Sequence, residues 1–222
     1  MENCFLYDNC NHIDCDGFCL KRYKLNYLYD EATISEKQRK YTALYLDNNK
    51  VDLEAFKTLS NFQTNIVDTV NNGTNIYIHS TICGNGKTSW ALRLAQAYLD
   101  KIWYRAKLEC KVLFINVPRF LLALKDNISE KSDYIQHIKE NVLTADLVIW
   151  DEIGSKGLTQ FEHENILSYI NARLDNNKSN IYTSNLSDQE LHSAVGDRLA
   201  SRICNQSVNI ELFGADKRKL SV

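Results

Sequence analysis

Short apolar segments alternate with longer amphipathic segments over the last two thirds of the chain. The apolar segments, which predict buried strands, are residues 76–78, 112–115, 147–150, 181–183 and 208–212. Segments of helical periodicity separate them, over residues 88–103, 120–141, 160–174 and 188–203. Strands that alternate with helices indicate an α/β fold in which helices cover both faces of a parallel sheet. Pro118 is placed to start the helix that follows the second strand.

The N-terminal part of the chain has a different pattern. Residues 22–72 are charged and aromatic without Pro or Gly, which predicts helices joined by a loop near residues 47–49. Residues 1–22 contain few aliphatic side chains and cannot form a packed core unaided. We therefore expect a small, Cys-rich, helical N-terminal domain over residues 1–50 and a larger domain over residues 51–222.

Length and composition set limits on this picture. A chain of 222 residues accommodates one ordinary domain and a small appendage. With 44% hydrophobic and 24% charged residues, neither a disordered chain nor a fibre is expected. A formal net charge of -2 excludes a globally basic nucleic-acid coat. The sequence has neither a long apolar run nor an N-terminal targeting pattern, so we expect a soluble cytoplasmic protein without a membrane partner.

Four of the seven cysteines cluster near the N-terminus, at Cys4, Cys10, Cys15 and Cys19, with His12 between them. In a reducing cytosol such a cluster favours metal over disulfides. Zn²⁺ is the favoured ion because four thiolates complete its tetrahedral coordination and would order a segment that has no core. An iron–sulfur cluster and unliganded cysteines remain alternatives.

Residues 80–89 have the composition of a phosphate-binding loop between a strand and a helix. Gly84 and Gly86 allow backbone amides to surround phosphate oxygens, assisted by the positive end of the helix. Lys87 would reach the terminal phosphates of ATP or ADP, and the Thr88 hydroxyl would ligate Mg²⁺. Thr81 occupies the position of the first glycine of the Walker A pattern. The other loop residues expected at the nucleotide are Cys83, Asn85 and Ser89; a chance Gly-Lys-Thr turn is the alternative.

An acidic pair follows the apolar segment 147–150. Asp151 would hold Mg²⁺ through water, and Glu152 would orient or deprotonate the attacking water. An ordinary solvated turn is the alternative for this pair. Further along, Asn185 ends a strand and could contact the water or the terminal phosphate. Arg198 and Arg202 share one helical face, which could also be a solvated surface.

The order and spacing of these motifs resemble a known family. Lys87-Thr88, Asp151-Glu152, Thr183-Ser184-Asn185 and a Gly-Asp-Arg element at residues 196–202 are similar to those of AAA+ ATPases of the DnaC/DnaI type. These proteins load bacterial replicative helicases, and phage-encoded versions resemble this sequence most. Transposition helper ATPases of the IstB type share the motifs. The resemblance covers residues 70–220.

The resemblance implies roles for three further side chains. Asn185 matches the sensor 1 residue, Arg218 the sensor 2 residue, and Arg202 the arginine finger that reaches a neighbouring subunit's nucleotide. Arg198 is the weaker candidate for the finger. A finger supplied by a neighbour makes ATP hydrolysis depend on self-assembly, so the monomer should be a poor ATPase.

The resemblance also implies a function, namely ATP-dependent loading of a hexameric, DnaB-type replicative helicase onto single-stranded DNA. The N-terminal region would dock on the helicase, and some DnaI-type loaders carry a zinc-binding N-terminal domain. Lys125, Lys131 and Lys139 could line a DNA channel, although a solvated helix face is slightly favoured for them. The alternatives are a transposition helper ATPase and a nucleotide-dependent binding module that regulates a host loader.

Overall fold

The computed structural model describes residues 4–6, 10, 18–40, 44, 46, 50–126 and 131–217. The described helices are α1 (Leu20–Glu31), α2 (Glu36–Arg39), α3 (Leu53–Thr64), α4 (Ile66–Asn71), α5 (Lys87–Ile102), α6 (Val117–Asp126), α7 (Asp133–Asn141), α8 (Gln160–Asp175), α9 (Asp188–Val195) and α10 (Asp197–Asn205). The strands are β1 (Ile76–His79), β2 (Val112–Asn116), β3 (Leu147–Asp151), β4 (Ser179–Ser184) and β5 (Val208–Glu211). Every strand predicted from an apolar segment is present, and the α/β prediction is confirmed.

The five described strands form one parallel sheet in the order β2-β3-β4-β1-β5. Successive side chains of a strand point to opposite faces. In β3, Ile149 therefore packs into the core beneath α1, α3, α4 and α5, whereas Trp150 packs beneath α6 to α10. Burial on both faces explains why the strands are continuous apolar runs rather than alternating ones.

The helix α1 lies on the N-terminal side of the domain boundary expected at residue 50. Leu25, Leu28 and Tyr29 of this helix are fully buried in the same core as α5 and the sheet. After the helix, the backbone N–H of Phe114 on β2 donates to the carbonyl of Ala32 at 2.8 Å. The boundary itself stays a prediction, and α1 shares the core of the larger unit.

The topology places the candidate site. In a parallel sheet, all carboxyl ends lie at one edge, and ligands bind there. β4 lies between β1 and β3, so the loop that follows β1 and the acidic pair at the end of β3 are one strand apart. Among the described helices, none is long and apolar enough to span a membrane.

Candidate active site

The loop after β1 turns sharply into α5. Gly84 and Gly86 have φ angles of 74° and 110°, a region that residues with a side chain rarely adopt. Gly86 is the N-cap of α5, so the first turn of that helix, with its free N–H groups, faces the loop. Thr81 does not adopt a positive φ, so the glycine that the Walker A pattern has here is not needed for the backbone conformation.

The polar side chains of the loop hold one another. The Lys87 ammonium donates to the carbonyl of Ile82 at 2.8 Å and to Asn85 Oδ1 at 3.1 Å. The Asn85 amide donates to Ser80 Oγ at 2.7 Å and to the carbonyl of Leu212 at 3.2 Å. Asn85 is 1% exposed and Lys87 is 7% exposed. The loop is therefore pre-shaped, and hydrogen bonds hold the lysine within it.

Asp151 lies at the centre of the site and is 3% exposed. Its Oδ1 accepts hydrogen bonds from the hydroxyls of Thr88 and Thr183, each at 2.8 Å. Burial raises the pKa of this carboxyl, and the charge of Glu152 adds to the effect, while the hydrogen bonds from Thr88 and Thr183 oppose it. Oxygen atoms of Thr88 and Asp151 thus lie side by side, which is the donor set that Mg²⁺ prefers.

Glu152 follows Asp151 in a left-handed backbone conformation, with φ of 60°. Non-glycine residues adopt this region at a cost of about 1 to 2 kcal/mol, so the surroundings must hold it there. The backbone N–H of Glu152 donates to Thr183 Oγ1 at 2.9 Å, and the Asn116 amide donates to Glu152 Oε2 at 3.2 Å. The same Asn116 amide is 3.4 Å from Asp151 Oδ2.

These groups surround a cavity of about 320 Å³. Its lining unites the loop and the ends of β3 and β4: Gly84, Gly86, Lys87, Thr88, Ser89, Asp151, Glu152, Thr183, Ser184 and Asn185. Most of the residues predicted to bind and hydrolyse a nucleotide therefore meet in one place. A cavity with an ammonium, helix N–H groups and two carboxylates can hold a Mg²⁺-bound polyphosphate beside a water-orienting base.

Four of the predicted residues are not among those that line this cavity, and one of them, Asn85, is buried within the loop, where it bonds Ser80 and Leu212. Cys83 is exposed in the loop, and Arg218 lies outside the described residues. Arg202 is exposed on α10, where its Nε donates to Asn171 Oδ1 of α8 at 3.0 Å. The neighbouring Arg198 is exposed as well. In the described chain the arginine pair thus lies outside the cavity.

The segment that leads to Arg218 is held against the loop from two sides. The backbone N–H of Lys217 donates to the carbonyl of Gly84 at 3.0 Å. The buried carboxylate of Asp52, the N-cap of α3, accepts from the N–H groups of Phe213 at 2.6 Å and Gly214 at 3.0 Å. Asp52 thus ties the C-terminal segment to the start of α3, and the Lys217 N–H ties the same segment to the loop.

The predicted zinc ligands do not come together in the described residues. Among these residues, no group of three or more His, Cys, Asp or Glu side chains is placed to hold a metal ion. Cys19 is instead the N-cap of α1, where its sulfur accepts from the backbone N–H of Arg22 at 3.5 Å. Cys4 and Cys10 are described as free thiols, while Cys15 and His12 lie outside the described residues. The four-cysteine site stays a prediction.

The lysines suggested for a DNA channel differ from one another. The Lys125 ammonium is 3.2 Å from Glu162 Oε1, and Lys156 pairs with the same oxygen at 2.9 Å. Lys131 is exposed just before α7, and Lys139 is exposed on that helix. Lys125 is therefore partly engaged within its own chain, since it shares the Glu162 carboxylate with Lys156, whereas no ion pair is found for Lys131 or Lys139 within the described residues.

Sequence reasoning missed two groups of the site, Asn116 and Asp52. Asn116 ends β2, and a polar residue directly after a buried strand at the ligand-binding edge was the available signal. Asp52 contacts a segment about 160 residues away, and nothing in a single sequence indicates that pairing. Thr183 belongs to a motif that the sequence shows, but its hydrogen bonds to Asp151 and to the Glu152 N–H follow only from the structure.

Comparisons with known proteins agree with this geometry. Residues 35–215 match the model of the family described as IstB-like ATP binding protein. A crystal structure of the DnaC helicase loader is similar with a TM-score of 0.65 and 22% identity, over 81% of this chain and 100% of that chain. A putative primosome component from Streptococcus pyogenes serotype M3 gives a TM-score of 0.63 and 21% identity, over 86% and 98% of the two chains.

The replication initiator DnaA bound to AMPPCP and single-stranded DNA is also similar, with a TM-score of 0.58 and 20% identity over 80% of this chain and 51% of that chain. No curated protein matches the sequence. At these identities the solved structures establish the fold, which is that of AAA+ P-loop ATPases. The family match spans most of the chain, and the protein therefore belongs to the IstB-like ATP-binding family of P-loop ATPases.

Proposed function

We propose that the protein is an ATP-dependent loader that delivers a hexameric, DnaB-type replicative helicase to single-stranded DNA, in a bacterial or phage-infected cytoplasm. The observation that carries the proposal is the cavity in which Lys87, Asp151, Glu152 and Asn185 meet, set in a fold that covers the whole DnaC chain. The similarity to DnaA bound to a nucleotide and single-stranded DNA supports the same assignment.

Each side chain of the cavity has a role in ATP hydrolysis under this proposal. Lys87 binds the terminal phosphates, and Thr88 and Asp151 hold Mg²⁺, which neutralises phosphate charge when bound. Glu152 orients the attacking water and takes its proton, and Asn185 contacts that water or the terminal phosphate. The hydrogen bond from Asn116 holds the Glu152 carboxylate in place until the site is complete.

We assign the arginine finger to Arg202, acting on a neighbouring subunit. Its exposed position on α10, outside the cavity of its own chain, supports this assignment. A guanidinium supplied by a neighbour stabilises the charge that develops during phosphoryl transfer. Hydrolysis then depends on assembly, and ATP binding promotes assembly while hydrolysis promotes release. Arg218 is assigned the sensor 2 role because the segment before it is fixed against Gly84.

The N-terminal cysteines are proposed to bind zinc and to order the segment that docks on the helicase. The spacing of Cys4, Cys10, Cys15 and Cys19 supports this part of the proposal. Metal analysis of the purified protein should find one zinc per chain, and a Cys10→Ser, Cys15→Ser variant should lose it. A folded protein that contains no metal would contradict the zinc assignment and leave the ATPase assignment intact.

The loader function is tested by a pull-down with purified DnaB-type helicase in the presence of ATP, ADP or no nucleotide. We expect capture to depend on nucleotide and single-stranded DNA to raise ATP turnover. The Lys87→Ala variant should lose nucleotide control, whereas Lys107→Ala, an exposed control far from the cavity, should behave as the parent does. Absence of helicase capture under all conditions would refute the loader function.

A transposition helper ATPase is the second candidate, favoured by the family match over residues 35–215. A protein of this kind would form filaments on duplex DNA and recruit a transposase. Electron microscopy of the protein with duplex DNA and ATP discriminates between the two functions. ATP-dependent filaments without helicase capture would favour the helper function.

A further inference from the structure

A second cavity adjoins the candidate active site, with a volume of about 590 Å³. Thr88, Ser89 and Asp151 line both cavities. The rest of the second cavity lies between the segment around α2 on one side and α5, the end of β2, α6 and α7 on the other. Its further lining residues are Thr33, Ser35, Lys37, Gln38, Lys40, Leu92, Arg93, Gln96, Phe114, Asn116, Arg119 and Tyr134.

The lining of this cavity is cationic. Lys37, Lys40, Arg93 and Arg119 contribute four positive charges, and Asp151 is the only carboxylate among the described residues that line it. Within the described part of the chain, neither Lys37 nor Lys40 forms an ion pair with a carboxylate. The net charge of the whole chain is -2, so this concentration of cations is local. The charge of this lining favours an anionic ligand.

The walls of the cavity are fixed. Gln96 of α5 is 2% exposed, and its amide donates to the carbonyl of Gln38 at 2.7 Å, which joins α2 to α5. On the opposite wall, the Arg119 guanidinium lies 4.7 Å from the centre of the Tyr134 ring. Stacking of this kind holds a guanidinium plane in one orientation and leaves its N–H groups for a ligand.

The distribution of charge indicates an extended ligand. The cations lie on three elements around an open cleft, with Lys37 and Lys40 on and directly after α2, Arg93 on α5 and Arg119 on α6. In a site for one small anion, the donor groups would instead converge on a single position. Spaced cations beside an aromatic–guanidinium stack match the repeating phosphates and flat bases of single-stranded nucleic acid.

We propose that this second cavity binds the backbone of single-stranded nucleic acid, next to the nucleotide and sharing a wall with it. The inference rests on the proposed function, and it names the site of strand binding within it. Because Thr88, Ser89 and Asp151 line both cavities, a bound nucleotide changes the affinity for the strand. A bound strand changes the affinity for the nucleotide by the same factor, because coupling between two ligands is reciprocal.

The test measures binding of a fluorescein-labelled oligo(dT) to the full-length protein by anisotropy over a series of salt concentrations. The Lys37→Ala, Lys40→Ala variant should bind about 10-fold more weakly, and the slope of log affinity against log salt should fall by about 1.4 for two lost phosphate contacts. A Lys57→Ala, Lys107→Ala variant removes the same charge at exposed positions outside the cavity and should match the parent. Affinity for a fluorescent ATP analogue, measured without oligonucleotide, should be unchanged in both variants.

Equal affinity and slope in the parent and the Lys37→Ala, Lys40→Ala variant would overturn the inference, as would an equal loss in the control variant. Inorganic tripolyphosphate at matched phosphate concentration should displace the oligonucleotide poorly, and equal competition would mean a small-anion site. If the parent itself binds no oligonucleotide, strand binding by the proposed loader fails as well. If the parent binds and the cavity variant is unaffected, this inference fails alone.

Discussion

Two arginines of the protein, Arg173 on α8 and Arg202 on α10, are placed in opposite ways. Arg173 is fully buried, and its guanidinium donates four hydrogen bonds to Asn180, Val142, Ala145 and Ser179. Arg202 is exposed and bonds to a single side chain, that of Asn171. Arg173 joins α8 to the start of β4 and to the segment between α7 and β3, whereas Arg202 can leave its one partner at little cost.

The same contrast distinguishes the cavity from the α10 surface. In the cavity, Lys87, Asp151 and Glu152 are held by neighbours of their own chain before any ligand arrives. On α10, both arginines are exposed, and Arg202 bonds to the one side chain of Asn171. The comparison teaches that one chain holds the residues of its own cavity in place but leaves the α10 arginines outside it, which fits the proposal that a neighbour supplies the cation for the transition state. The predictions below test this division.

The largest effect is expected for Arg202→Ala. In the assembled state, with helicase and single-stranded DNA present, kcat for ATP should fall about 1000-fold, because the transition-state charge loses its guanidinium. The Kd for ATP should change by less than about 2-fold, since the lost contact is made only in the transition state. Steady-state kinetics and equilibrium titration measure the two quantities. If kcat falls less in Arg202→Ala than in Arg198→Ala, Arg198 is the arginine finger.

Lys87→Ala should show the reverse behaviour. It removes an ammonium that binds phosphate directly, so affinity for ATP should fall about 100-fold, as expected for two lost charge-assisted hydrogen bonds. Isothermal titration calorimetry measures the affinity, and circular dichroism verifies the fold. Unchanged binding of ATP would contradict the assignment of the whole cavity.

Glu162 near the start of α8 is a buried carboxylate that pairs with Lys125 and Lys156. It tests how much such an ion pair contributes to the free energy of unfolding. Burial raises the pKa of this carboxyl, but the Thr159 N–H together with Lys156 and Lys125 outweighs burial and lowers it from 4.5 to about 2. A lowered pKa stabilises the fold above about pH 4.5, and the stabilisation is lost as the pH falls towards 2. The stability difference between the parent and Glu162→Gln should therefore narrow by about 2 kcal/mol between about pH 6 and pH 3. Urea unfolding measures this difference in stability at each pH. A difference that does not change with pH would contradict the ion pairs of Glu162.

The smallest effect is expected for Asn116→Ala. The Glu152 carboxylate would lose the amide that orients it, at a cost of about 1 kcal/mol, so kcat should fall about 5- to 10-fold. ATP affinity should be nearly unchanged because Asn116 contacts the two carboxylates and not the phosphate loop. A loss of ATP affinity as large as the change in kcat would show that Asn116 supports the loop rather than Glu152.

The sheet could be predicted from sequence because its strands are buried on both faces and are therefore continuous apolar runs. The phosphate loop could be predicted because the chemistry requires Gly86, Lys87 and Thr88 at consecutive positions. For Asn116 the only signal was a polar residue at the end of a buried strand. Asp52 could not be predicted, since it acts across a tertiary contact that a single sequence does not encode locally. The same holds for the second cavity, where Lys37 and Arg119 come from segments about 80 residues apart.

The central claim is that one chain's cavity is completed by Arg202 of a neighbour, and mixing two inactive variants tests it most directly. Glu152→Gln keeps Arg202 but lacks the base, and Arg202→Ala keeps the base but lacks the arginine. If the arginine acts between subunits, the mixture regains ATPase activity at junctions where a Glu152→Gln chain supplies Arg202 to an intact cavity. If the arginine acts within its own chain, the mixture stays as inactive as either variant alone, and the account is contradicted.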